Sequence, residues 1–384
     1  MTRLHRAKLG RERLGQCMHI LLLAVVCAAL GEDDLFLVLG AYWMLKWRAY
    51  LELVAPTQLG GVRYDFMEVL GGFDFKEVFR FEKSHFRQLL AALELPPELE
   101  IRRGGFGTQR IPASLALAVT LWRFAAPTTL LRDRLFWGMG ETLVCEVFNV
   151  TVEAIHERWG HLVEELQVEA ILSKIDGFCE AISNRGAPLP RCWGFLDGTL
   201  RKICRPGRWQ RLYYNGWKRF HALKYQAVDS PDGIIRQLWG PMLGRRHDVA
   251  LLGQSNLLGV LQQSFNDAQG EPYYLYGDPA YQNSPWLIAP YRGGVLTPAE
   301  RGFNAAMSGV RVTVEWGFGR IVAQWPYVDY HKKQQVGLSA CGLGKQHAVA
   351  GILTNCHCCF YPNSTAQDFD VQPPSLEEYL QGEG

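Results

Sequence analysis

Two short apolar runs in this chain each deliver an aspartate, and a later amphipathic stripe carries a glutamate; that order constrains the fold more than any other feature. Residues 193–196 lead into Asp197 in Gly-Phe-Leu-Asp-Gly-Thr, and residues 273–276 lead into Gly277-Asp278 in Gly-Asp-Pro-Ala-Tyr. Short apolar runs bounded by glycine and charge read as buried strands, so both acids stand at strand ends. Between them, residues 224–229 and 233–239 flank Ser230-Pro231-Asp232-Gly233, a hairpin turn signal. Val249, Leu252, Leu257, Val260 and Leu261 predict one amphipathic helix.

Thr297-Pro298-Ala299-Glu300 is a capping box with proline at the first helical position. The helix it opens carries the stripe Val310, Val314, Phe318, Ile321, Trp325 and stops at Pro326, with Glu315 on its edge. Three strands, a helix, a strand and a helix give the order of a ribonuclease H-like α/β core with a mixed sheet. Three converging carboxylates repel one another and raise their pKa values unless a cation neutralises them. Hard oxygen donors suit Mg2+ or Mn2+. Phosphodiester chemistry uses two such ions roughly 4 Å apart, one at the attacking and one at the leaving oxygen. Asp197, Asp278 and Glu315 are therefore the candidate metal-binding, catalytic residues.

At this point the sequence resembles the PIF/Harbinger transposases, whose metal-binding triad is Asp-Asp-Glu. The resemblance covers residues 193–361 and rests on the two aspartate motifs, His247-Asp248, Phe303-Asn304, Ser308, Arg311, Val314-Glu315, Phe318-Gly319 and Ile352-Leu353-Thr354-Asn355. Ile321-Val322 departs from it, standing near a usual lysine. It implies a DNA transposase that cuts and joins strands by hydrolysis and transesterification. It also implies DNA partners, both element ends and target, and a separate Myb/SANT-like protein. The expected location is the nucleus, or the cytoplasm without that partner. Two alternatives stay open: a host-retained nuclease that cuts without integrating, and a catalytically idle DNA- or protein-binding module.

Ordinary structural roles compete at several positions. Glu315 lies one turn after Arg311, so the two could form a surface pair, while Arg311 could equally orient the acids or contact phosphate. Asp248 reads as a helix N-cap or as a fourth metal-associated acid. His247 could bond a phosphate or nearby backbone. Net charge is only +2, yet residues 199–227 carry bases and no acid. Arg201, Lys202, Arg205, Arg208, Arg211, Lys218, Arg219 and Lys224 alternate there with Trp209, Tyr213, Tyr214, Trp217 and Phe220. Bases neutralise phosphates and rings stack on unpaired nucleobases, so this segment is the candidate DNA contact. A hairpin with its aromatics packed beneath it is the alternative.

Four segments are expected: a basic and apolar helical segment (1–60), a helix-turn-helix-like helical domain (61–185), the catalytic domain (190–362) and a C-terminal tail (363–384). Gly186, Pro188 and Pro190 mark the linker. Within the helical domain, short helices are predicted around 130–137 and 141–148, with a longer one opened by Thr151. Such helical hairpins also build purely structural bundles. Arg3, Arg6, Lys8, Arg11 and Arg13 before the apolar run 20–30 have the shape of an export signal. The run is short for a bilayer span, and a packed helix is the preferred reading, with no membrane partner. Ten cysteines in so long a chain fit a reducing compartment rather than a disulfide scaffold. Cys356-His357-Cys358-Cys359 invites zinc only if a distant pair completes it. A homo-oligomer is compatible with all of this.

Overall fold

The computed structural model describes residues 3–31, 33–54, 65–102, 107–337 and 341–381, with side chains at 3–13, 33, 48–54 and 312–316 outside the description. The chain divides into two compact units, Met1–Gly60 and Gly61–Gly384. The first is a pair of helices, Arg3–Ala29 and Asp33–Val54, that pack on each other. Among the described residues no helix is long and apolar enough to cross a membrane.

In the second unit the central sheet sits among helices. Its strands are β3 (Cys192–Lys202), β4 (Tyr214–Asn215), β5 (Phe220–Asp229), β6 (Ile235–Leu243), β7 (Tyr274–Gly277) and β8 (Leu287–Ile288), preceded by a separate ribbon of β1 (Glu98–Arg102) and β2 (Thr108–Pro112). β5 runs antiparallel between β3 and β6, whereas β7 pairs parallel with both β3 and β8. The sheet is thus mixed, with an antiparallel half built from the predicted hairpin. Its turn is locked from within: Ser230 donates to Asp232 at 2.6 Å, and the Ile234 amide donates to the same carboxylate at 3.1 Å.

Alternation along β3 sends Leu196 to one face, where it packs with Val228, Leu252, Leu261 and Phe265. Phe195 faces the other way, joining Tyr276, Met307 and Val310. The last two belong to the helix Pro298–Gln324, which opens with the predicted capping box: the Glu300 amide donates to the Thr297 hydroxyl at 3.2 Å and Glu300 accepts from the Thr297 amide at 2.7 Å. The helix Gly342–Phe360 is buried along most of its length. Its Asn355 clamps β6, accepting from the Ile235 amide and donating to the Ile235 carbonyl, both at 2.9 Å. One continuous hydrophobic cluster joins the helices of 66–163 to β6 and to this helix.

Four local expectations are corrected. The stripe at 249–261 is two helices, Asp248–Gln254 and Leu257–Ser264, because Asn256 adopts a left-handed conformation with φ 52°. Thr151 opens no helix; it lies inside Glu141–Trp159, where its hydroxyl donates to the Val147 carbonyl at 2.7 Å. β3 does not stop at Asp197 but continues to Lys202, held by β5. The ribbon β1–β2 brackets a glycine-rich segment for which no strands were expected; residues 103–106 of that segment lie outside the described residues. All ten cysteines are free thiols.

Candidate metal and nucleic-acid site

The parallel pairing of β3 and β7 ends with Leu196 opposite Gly277. The next residue on each strand is an aspartate. Neighbouring strands lie about 4.8 Å apart and side chains alternate faces, so Asp197 and Asp278 emerge side by side on the face of Phe195 and Tyr276. Asp278 is oriented further by the Ala280 amide, which donates to its Oδ1 at 2.6 Å.

Arg311, one residue after the core-facing Val310, reaches both acids. Its Nη2 lies 3.1 Å from Asp197 Oδ1 and 3.7 Å from Asp278 Oδ2. Only 18% of the Arg311 side chain is exposed, and it is turned onto the strand acids. Glu315 follows one turn later on the same helix. Its side chain lies outside the described residues. Among the described residues no three His, Cys, Asp or Glu side chains gather to hold an ion; this includes the Cys356–Cys359 cluster, whose consecutive positions point to different sides of one helix.

On the opposite face, a Cβ at Gly198 would stand 2.6 Å from Asp248 Oδ1, so glycine leaves room for that carboxylate beside Asp197. The N-cap reading of Asp248 is corrected, since His247 occupies the cap position and Asp248 is the first helical residue. Its carboxylate pairs instead with Lys224 Nζ at 2.9 Å, and Lys224 also donates to the Arg246 carbonyl at 3.1 Å. His247 is exposed beside it. Tyr281 completes the cluster. Its hydroxyl is pushed far above the usual phenol range by burial, then by the negative charge of Asp248, Asp197 and Asp278. Tyr281 was missed as a site residue, and Lys224, expected in the DNA contact, pairs with Asp248 instead. The signal for Tyr281 was its place three residues after Asp278 within one motif.

A further missed acid is Asp229, at the end of β5 and paired with Phe195. It lies under the long helix, where a Cβ on Gly317 would come within 2.4 Å of its carboxylate. Burial pushes its pKa up to about 7, despite the Arg320 guanidinium 3.9 Å away.

The basic segment divides in two. Arg201 turns inward, 3.3 Å from Asp329 and over the Phe318 ring, and Lys224 is buried on Asp248. Burial lowers the pKa of Arg201 below the usual guanidinium range, against the pull of Asp329. Lys202, Arg205, Arg208, Arg211, Lys218 and Arg219 remain exposed. Between β3 and β5 the chain makes an excursion through a short helix, Gln210–Tyr213, and β4. Trp209 and Trp217 are held outward there, 75% and 87% exposed. Large rings left in water on a basic loop contradict the packed-hairpin alternative for these two residues; Tyr213 does pack against the core.

Comparison with known proteins agrees with this geometry. Residues 196–355 match the family model of the DDE superfamily endonucleases. A protein of Arabidopsis thaliana described as "Protein ALP1-like" is 22% identical over 270 residues, covering 66% of this chain and 64% of that protein. The chain thus spans slightly less than two thirds of that relative's length. No solved structure matches. The matched segment opens one residue before Asp197, closes on the clamping Asn355 and contains Asp278 and the helix of Glu315: over residues 196–355 this chain is similar to the DDE superfamily endonucleases.

Proposed function

We propose that this chain is a metal-dependent DNA nuclease and transposase whose ions are held by Asp197, Asp278 and Glu315 in a ribonuclease H-like catalytic domain spanning residues 190–362. The observation that carries this reading is the Leu196–Gly277 pair, which sets two strand acids side by side beneath a helix bearing the third. The strand order, an antiparallel β6–β5–β3 half continued by parallel β7 and β8, supports the ribonuclease H-like assignment.

The donors fit a divalent cation: they are hard oxygens, and the two described acids already converge on one positively charged group, Arg311. Two bound Mg2+ or Mn2+ ions would supply the activation of an attacking oxygen and the stabilisation of a leaving one. Arg311 keeps the two carboxylates aimed at a common point. The Asp248–Lys224 pair fills the opposite side of β3, and Tyr281 shields the strand ends from water. The exposed bases of the loop at 202–219 would grip the DNA backbone, with Trp209 and Trp217 as stacking platforms for unpaired bases. A nuclear location and a Myb/SANT-like partner belong to this reading through the family resemblance.

One observation favours a second reading. The Arg311 guanidinium offsets one of the two negative charges of Asp197 and Asp278, so the fold has a built-in partial counter-ion, as a catalytically idle DNA-binding module would need. Incubation of the purified protein with supercoiled plasmid and Mn2+ decides between them. Nicking that EDTA abolishes is expected; DNA retention without nicking would establish the idle module.

The loop makes a separate prediction. Trp209→Ala is expected to weaken binding to single-stranded or frayed ends by about 1 to 3 kcal/mol and to change intact-duplex binding little. Fluorescence anisotropy on paired substrates measures both, and equal losses would remove the stacking role.

A further inference from the structure

The cations of residues 190–362 that are buried against an acid are, with one exception, anchored by neutral acceptors as well. Arg201 donates to the Phe318 carbonyl at 3.4 Å, Lys224 to the Arg246 carbonyl at 3.1 Å, Arg236 to the Ser230 hydroxyl at 2.7 Å and Arg320 to the Gly233 carbonyl at 2.6 Å. Arg311 is the exception: among the described residues its contacts are the two carboxylates, Asp197 and Asp278. A lasting arginine–carboxylate pair often engages two nitrogens in a fork. Here one nitrogen, Nη2, bridges two acids. A guanidinium held by carboxylates alone stays only while their oxygens are free to hold it.

Those oxygens are the ones an ion needs. In formal charge the two aspartates exceed Arg311 by one negative unit. A divalent ion at the same oxygens would reverse that excess, placing like charges together beside Asp197, where the side chain is only 17% exposed and water screens little. Ion and guanidinium therefore compete. A phosphodiester carries the single negative charge that restores neutrality. The Arg311 Nε is buried with no hydrogen-bond partner among the described residues, and Nε with Nη2 forms an edge that can grip two phosphate oxygens. Asp278, with 41% of its side chain exposed, marks the side from which a phosphate would approach.

We propose that Arg311 is an exchangeable counter-ion. In the free chain it occupies the ligand oxygens of Asp197 and Asp278, and a DNA phosphodiester draws it off them, so that divalent ions bind tightly only alongside DNA. This deepens the nuclease reading and rests on it. By linkage, DNA tightens ion binding by the same factor as ions tighten DNA binding. A guanidinium that did no more than aim the acids would act with the opposite sign, because removing it would weaken ion binding.

The test is Mn2+ binding to the full chain, read from the electron paramagnetic resonance signal of the free ion, with and without a short DNA duplex whose own Mn2+ uptake is subtracted. The parent is expected to bind Mn2+ about tenfold or more tightly with the duplex. Arg311→Gln should bind it about tenfold more tightly than the parent without DNA, and gain less from the duplex. Arg311→Lys keeps the charge and should stay as weak as the parent. Thermal melting checks the fold: Arg311→Gln, left with two carboxylates and no counter-ion, should melt below the parent in EDTA and recover in Mn2+. Parent binding that the duplex leaves unchanged, Arg311→Gln binding no tighter than the parent without DNA, or Arg311→Lys binding as tightly as Arg311→Gln would overturn the proposal and leave the nuclease reading standing. Mn2+ bound by none of these proteins under any condition would overturn both.

Discussion

Alanine at Asp197, Asp278 or Glu315 is expected to lower strand cleavage by about a thousandfold or more, the consequence of losing ~4 kcal/mol of transition-state stabilisation at a two-metal site. Stability should change little by comparison. Asp197 and Asp278 are partly exposed and both pair with Arg311, so removing one leaves the guanidinium with the other; it also relieves repulsion between carboxylates. Plasmid nicking in Mn2+ against circular dichroism of the same samples separates the two effects. A Glu315→Ala protein that nicks at the parent rate would take Glu315 out of the site, and the same result for either aspartate would sink the proposed chemistry.

The second large effect concerns Asp229. Its folded pKa, about 7, lies above the ordinary carboxyl value of 3.8, so the fold prefers the protonated acid. The stability this preference contributes is fully present below pH ~4, declines as pH rises, and is lost once pH passes 7. A shift of this size corresponds to roughly 4 kcal/mol between the two limits. Asp229→Asn keeps a neutral group of the same shape under Gly317. It should match the parent near pH 4 and exceed it by up to about that amount at pH 8. Urea denaturation in EDTA across this range is the measurement. A parent and variant with parallel pH profiles would mean that Arg320 fully compensates the buried charge.

What could be read from the sequence followed how local the determinants were. The capping box and the turn at 230–233 are decided within a few residues, and both formed as expected. The apolar runs before Asp197 and Asp278 identified their strands, because a run buried on both faces leaves an unambiguous pattern. The break at Asn256 was hidden, since hydrophobic spacing is continuous across it and only one backbone angle departs. Arg201 and Lys224 looked like members of a basic surface because charge is visible in sequence and direction is not. Each points inward because an acid on a distant segment, Asp329 or Asp248, meets it there. Asp229 was invisible for the same reason: its environment is made by a glycine on a helix far along the chain.

The parallel β3–β7 pair has a consequence for how this chain tolerates change in length. The distance between Asp197 and Asp278 is set by one interstrand spacing, whatever number of residues connects the two strands. Loops such as 203–219 and 244–247 can therefore gain or lose residues without moving the acids apart. A single residue inserted within β7, by contrast, would turn Asp278 to the face of Leu196 and away from Arg311. Indels in these connections should leave the two acids in register, whereas one in the four residues of β7 should not.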